Sequence, residues 1–401
     1  MAITQQSFSQ IDWKSDLDFL KAELPKKHKN FFFLKSEADF NNGLNDIRNQ
    51  TETLTDFEIM LKIQQLIATF GDSHTYLGWY PTLKPELYLP IGVYPFSDGV
   101  FILSASKEYS TLIGKRLTKI NGHPIEKVID SLNTLITDEN IALKKDFFPK
   151  FIASTQVLDF FKFGASGSYS LEVEDENNNV TTHPILSSIV GKQFVSVPIN
   201  NLPYSWLQKK TAFTKKYFKE DKILHVVYNS CVPISIIRNN GKDDSLKFED
   251  FQEQIFNDLK ESDVDKLLFD MRFNGGGNSI YGTGFVNELS RKNINQTGKL
   301  FVVIGRSTFS SAILNTLDFK KKTNAIIIGE ETGGKPNHYG EVRTFKLPGS
   351  KLSVQYSTKY FKNSESEINT IVPDVKIEIT FKDFINGKDP IYEWVKNHSG
   401  G

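Results

Sequence analysis

The sequence predicts a multidomain α/β protein with a helical N-terminal part, a small β module in the middle and an α/β core in the second half. Three observations carry this. At 401 residues the chain is longer than one ordinary domain. Residues 1–80 place apolar side chains at helical spacing. The second half alternates short, wholly apolar runs with amphipathic stretches, the pattern of parallel strands joined by helices. The expected division is 1–80, 81–200 and 201–401.

Composition narrows the function classes. Apolar residues at 39% and aromatics at 12%, including 32 Phe, suffice for a large core. Lys+Arg and Asp+Glu are equal at 48 each, so no overall charge points to nucleic acid or a membrane surface. The single Cys231 excludes an internal disulfide, and no Cys/His group has zinc spacing, so no metal or cofactor is expected. The opening MAITQQSFSQIDWKSD lacks the basic-then-apolar pattern of a secretory leader. Apolar runs reach only about five to eight residues, short of the ~20 that span a bilayer. A soluble chain is expected, cytoplasmic as it stands and extracytoplasmic if a leader has been removed.

Taken in order, Leu17, Leu20 and Leu24 mark a first helix, which Pro25 with Lys26 and Lys27 should end. Ala38 to Ile47 reads as a second. Thr55 caps a third, with Ile59, Ile63, Leu66, Ile67 and Phe70 on one face, and Gly71 stops it. GDSHTYLGWY follows, so His74 sits in a turn beside Asp72 and Ser73. In the middle, PIGVYPFSDGVFILSAS reads as two strands around a Ser-Asp-Gly turn. A strand, an Asn121–Gly122 turn and a helix with Val128, Ile129 and Leu132 inward come next. This piece resembles a small peptide-binding module of PDZ type. SYSLEVEDENNNVTTHPI is a hairpin turning at Glu176 to Asn179. A connector from Pro198 to Trp206 leads to the core. There Ile223–Tyr228 and Lys266–Met271 read as strands, and Phe248, Phe251, Ile255 and Leu259 line a helix.

The stretch Leu300 to Pro336 carries the sharpest signal. A buried strand, Leu300–Ile304, ends at Gly305, and an amphipathic segment with Ala312, Leu314 and Leu317 follows, with Ser307 and Thr308 as caps. A second strand, Ala325–Ile328, runs into Gly329. A serine at a strand-to-helix turn can stand exposed beside oriented backbone N–H groups, which makes Ser310 a candidate nucleophile. The alternative is that Ser307, Ser310 and Ser311 only cap a helix.

Two glycine runs compete for other chemistry. Gly275–Gly277 lies between a strand and a helix, where backbone N–H groups can meet an oxyanion or a phosphate. A dinucleotide fingerprint would need a third glycine where Ile280 stands. Gly329 to Lys335 matches the start of a phosphate-binding loop. Pro336 replaces the Mg²⁺-binding hydroxyl, however, and a strand-like NHYGEVRTFKLP follows in place of a helix.

GDSHT, DMRFNGGGN, GRSTFSSA, GEETGGKP and a Glu shortly before Pro373-Asp374-Val375, in that order over residues 10–385, resemble the tail-specific (C-terminal-processing) and tricorn-core serine peptidases. The retinoid-binding proteins share that fold, and the pattern is closer to the tricorn-type and retinoid-binding branch. The resemblance implies a core like the crotonase and caseinolytic-protease layer, preceded by helices and often a PDZ-like module. It also implies one of two machineries. In the Ser/Lys type the base is a lysine at the position of Lys335. In the tricorn type it is a His, with a Glu to orient it and the preceding Ser to assist. Ser73–His74 and Glu367 fit the second, giving Ser310, His74, Glu367 and Ser73 as the catalytic set. Lys335 is then the alternative base, structural or a substrate contact. Backbone N–H groups of Ser311 and of Gly275 or Gly276 would hold the oxyanion. Glu365 is the rival orienting residue and Ser311 the alternative nucleophile. An imidazole near its ordinary pKa of about 6.5 would accept the Ser310 proton at neutral pH. Asp270 and Arg272 read as a structural ion pair. The expected activity is serine endopeptidase cleavage near the C-termini of peptide or unfolded-protein substrates. The alternative is an inactive ligand- or peptide-binding protein on the same fold. No nucleic-acid partner is expected.

Overall fold

The computed structural model describes residues 11–84, 87–164, 168–188, 194–198, 202–232 and 247–399. The opening decapeptide and part of the 198–206 connector lie outside them. Two compact units result: Met1–Lys84 with Asp130–Asp138 and His338–Phe361, and Pro85–Ile129 with Glu139–Asn337 and Lys362–Gly401.

The first unit is built from three helices and a small sheet. Leu17, Leu20 and Leu24 form the buried face of the helix Trp13–Lys27. It ends at Lys27 as expected, with Pro25, Lys26 and Lys27 in its last turn. The second helix, Glu37–Arg48, starts at a capping box of Ser36 and Asp39. The third, Asp56–Ala68, is capped by Thr55 as expected, and Glu58 completes a capping box: the Thr55 hydroxyl accepts the Glu58 N–H while the Glu58 carboxylate accepts the Thr55 N–H. Phe31, Phe40 and Phe70 pack as a ring cluster, Phe31 stacked on Phe70 at 4.6 Å. This cluster fixes the chain just before the His74 turn. Tyr76–Leu77 leaves that turn as a short strand on the antiparallel pair His338–Lys346 and Ser353–Phe361.

The second unit holds two sheets. Strands Ile91–Phe96, Gly99–Ser106, Arg116–Ile120, Ser168–Glu174 and Val180–Leu186 pair antiparallel in that order, with His123–Pro124 and Phe194–Ser196 attached. Asn121 and Gly122 both take positive φ, as the turn between short strands requires. The other sheet has the order Val375–Lys376, Ile326–Gly329, Leu300–Ile304, Lys266–Asp270, Ile223–Tyr228, Phe213–Phe218, parallel except for the last strand.

Both faces of this parallel sheet are covered, which explains its unbroken apolar strands. On one face Leu224, Val226, Leu267, Phe269, Leu300 and Val302 meet the helices Phe248–Glu261, Ile280–Leu289 and Ser311–Lys322. On the other, Ile223, Leu268, Phe301 and Val303 meet Ile391 and Val395 of the helix Pro390–Asn397. Lys266, itself buried, donates to the carbonyls of Val395, Lys396 and His398 and ties that helix end down. The fold is thus mixed α/β, with N-terminal helices and antiparallel β modules. No described helix is long and apolar enough to cross a membrane.

Removing the Thr55 cap should cost about 1 kcal/mol. Thr55→Ala is expected to lower the unfolding free energy by that amount, read as a lower urea midpoint with an unchanged slope.

Candidate active site

Three parallel strands end side by side, and their carboxyl ends carry the glycine run and the Ser310 turn. Ligands bind at that edge of open α/β sheets. Ser310 takes φ 53 and ψ −123, a strained conformation for a residue with a Cβ, and is the residue before the helix Ser311–Lys322. It makes no capping bond with its side chain. Ser307 and Thr308 are not caps either. Ser307 Oγ donates to Asp146, and Thr308 Oγ1 links Gly305 N–H to the Met271 carbonyl at 3.0 and 2.9 Å. The helix buries Ala312 as expected, but with Ile313, Asn315, Thr316 and Phe319; Leu314 and Leu317 are half-buried. Polar Asn315 is inside because its amide donates to the Ser279 carbonyl, 2.9 Å away.

Gly276 lies directly against this turn. A Cβ there would stand 2.8 Å from the Ser310 Cβ and 3.0 Å from the Ser311 nitrogen, and its φ is +102. Only glycine meets both conditions. Ser311 Oγ donates to the Gly277 carbonyl at 2.7 Å, so the hydroxyl of the alternative nucleophile is engaged.

The bonding within the run decides which amides are open. Gly276 N–H donates to Asn274 Oδ1 at 2.9 Å and is consumed. The Asn274 carbonyl accepts from Phe309 N–H, so across the trans peptide the N–H of Gly275 faces away from Phe309. The Gly276 carbonyl accepts from Cys231 N–H at 2.9 Å. By the same geometry the N–H of Gly277 points away from Cys231, and it has no partner among the described residues. Of the sequence-expected donors, Gly276 is thus engaged by Asn274, and Gly275 faces away from Phe309.

Glu367 and Glu365 are separated by their partners. Buried Asn337 donates to Glu367 Oε1 at 3.0 Å and accepts from the N–H groups of Asn363 and Ser364. Glu365 pairs only locally with Lys362 and is 95% exposed. Lys335 is half-buried at the end of the second glycine turn. That turn is no phosphate cradle, because the amides of Glu330, Thr332 and Gly334 donate to the carbonyls of Ile304, Ile371 and Thr308. Asp270 and Arg272 form the expected buried pair, extended by Asp389 and His225.

In the first unit, Asp72 organises the turn that carries Ser73 and His74. Its buried carboxylate accepts from His28 Nε2 at 2.9 Å, Ser357 Oγ at 2.6 Å, Thr75 Oγ1 at 2.5 Å and the His74 N–H at 3.0 Å. His28 Nδ1 accepts from Asn30 N–H, so the ring proton sits on Nε2, facing Asp72. Burial alone would raise the Asp72 carboxyl. The His28 bond, the charge of His74 and the two hydroxyls outweigh it and hold it at about 2. The His74 ring lies 3.9 Å from Asp72 and stacks on His338 at 5.7 Å, with Phe361 beyond. Its carbonyl accepts from Gln355. Burial lowers the His74 imidazole most, Asp72 raises it and His338 lowers it further, to about 4. The ordinary value expected from sequence does not hold.

Sequence reading missed Asn274, His28, His338 and Asn337. For Asn274 the signal was an Asn directly before a glycine run, where it can bond the backbone two residues on. No group of three or more His, Cys, Asp or Glu that could hold a metal occurs among the described residues.

Residues 283–377, which include Ser310 and Glu367, match Peptidase family S41. The chain is a hydrolase, a serine-type peptidase. Among solved structures, mature CPAF complexed with lactacystin is similar at TM-score 0.66 and 13% identity, over 95% of this chain and 96% of that one. Mature CPAF alone gives 0.62 and 13%, over 97% and 98%. At that identity the likeness is one of fold. No curated protein matches in sequence.

Asp72→Ala would leave four donors facing a void and should destabilise by about 3 kcal/mol at pH 7. Because the folded carboxyl is depressed, the wild-type advantage is present above the unfolded value of 3.8 and fades as pH falls toward 2. Urea unfolding of both proteins at pH 7 and pH 3 reads this out.

Proposed function

We propose that the chain is a serine endopeptidase whose nucleophile is Ser310. The observation that carries this is the strained Ser310 turn seated against Gly276, inside the stretch that matches the peptidase family. His74 is the base, Glu367 orients it and Ser73 assists. Ser310 Oγ attacks the scissile carbonyl while its proton passes to the imidazole, which then delivers it to the leaving amine. Water repeats the sequence on the acyl-enzyme. The oxyanion is received by the Ser311 N–H and one amide of the Gly275–Gly277 run, with Gly277 favoured by the bonding above.

Of the family's two machineries, the His-based one suits these residues better. A lysine base must lose its proton through desolvation, whereas His74 is held neutral by burial. The fixed position of Glu367 on Asn337 favours it over Glu365. Lys335 is then structural or contacts substrate. The parallel layer corresponds to a crotonase- and caseinolytic-protease-like core from about residue 201, and the antiparallel sheet of 81–200 to a PDZ-like module. An exposed strand of either would take an extended peptide by strand addition, near the substrate's C-terminus.

His74→Ala should abolish hydrolysis of unfolded casein, while Lys335→Ala keeps measurable turnover. The reverse pattern would assign the base to Lys335. A lowered imidazole stays deprotonated further into acid, so the acid limb of kcat/KM should have its midpoint below the ordinary 6.5. A midpoint at or above that value would contradict the buried, neutral base.

A further inference from the structure

Asn274 is fully buried, and its backbone and side chain join its own loop to the 228–231 segment and to the loop before Ser310. Its Nδ2 donates to the Tyr228 carbonyl at 2.8 Å, where the strand Ile223–Tyr228 ends. Its Oδ1 accepts from Gly276 N–H at 2.9 Å and lies 3.5 Å from Cys231 Sγ. Its carbonyl accepts from Phe309 N–H at 3.0 Å, one residue before Ser310, and its own N–H donates to Met271 at 3.0 Å.

We infer that Asn274 is the positioning residue of the oxyanion site: it withdraws the Gly276 N–H into the protein, turns the Gly277 N–H outward and clamps the Ser310 turn to the same loop. The inference rests on Ser310 being the nucleophile. Two backbone donors on different loops stabilise a tetrahedral oxygen only if their separation is fixed before the reaction, since reorganising them during it removes the advantage. Ser311 lies on one loop and Gly277 on the other. The bonds of Asn274 to Phe309 and Gly276 span them, and the bond to Tyr228 anchors both to the sheet. An amide is needed because one oxygen must accept while one nitrogen donates, which neither a hydroxyl nor an aliphatic chain can reproduce at this length. Asn274 touches no reacting atom, so its effect is on the rate of forming the tetrahedral species.

The test uses the full chain and a biotinylated fluorophosphonate, whose phosphoryl oxygen enters the oxyanion site as Ser310 is phosphonylated. Asn274→Ala should slow this labelling by about 100-fold or more, the scale of losing an oxyanion donor. Cys231→Ala, which removes only the thiol contact, should stay within threefold of wild type. A folded Asn274→Ala protein that labels within threefold of wild type overturns the inference. If Asn274→Ala does not melt cooperatively, Asn274→Asp decides, since it keeps the acceptor for Gly276 but loses the donor to Tyr228. Labelling slowed tenfold or more in the folded variant supports the role, and labelling within threefold of wild type overturns it. Amide NMR gives a readout independent of catalysis. In the folded Asn274 variants the Gly277 and Ser311 resonances should shift while those of Tyr356 and Ser357 stay. Unmoved Gly277 and Ser311 amides overturn the inference, whereas a wild type that never labels counts against Ser310 alone.

Discussion

The close approach of Gly276 to the Ser310 turn is the constraint on which the rest of the parallel layer depends. Ser310 can hold a positive φ only because the surrounding backbone over-determines it, and the surroundings can close in only because residue 276 has no side chain. Everything nearby serves that contact. Thr308 pins the loop to the ends of two strands, Asn274 ties the glycine run to a third, and Asn315 anchors the helix that follows. The parallel sheet supplies rigidity because both of its faces are buried, so the strand ends move little relative to one another.

A second centre of order lies in the other unit, and its logic is electrostatic. Asp72 is a buried charge made tolerable by four donors. In return it freezes the backbone of the turn that presents His74. The His74 ring stacks on His338, with Phe361 beyond, and burial lowers its imidazole. A base that must stay unprotonated benefits from such burial, at the cost of some basicity.

Much of this was legible in the sequence. The Thr55 cap, the apolar parallel strands and the serine at a strand-to-helix turn are local patterns, and local patterns survive in one dimension. The polar interior of the Ser310 helix was hidden because Asn315 is satisfied by Ser279, on another helix-bearing loop. The partners of Asp72 come from residues 28, 75 and 357, and no spacing rule joins them. The same holds for His338 over His74: the depressed imidazole is a property of packing, which the neighbouring Asp72 alone would have suggested with the opposite sign. In the glycine run the type of chemistry was readable, but the choice of amide depended on which N–H the Asn274 side chain had taken.

The central claim, that Ser310 is the nucleophile, is tested most directly by mapping where a serine-reactive phosphonate attaches. Peptide mass spectrometry of the inactivated protein should place a single adduct on Ser310, absent from Ser310→Ala. An adduct on Ser311, or equal labelling of the Ser310→Ala protein, would contradict it.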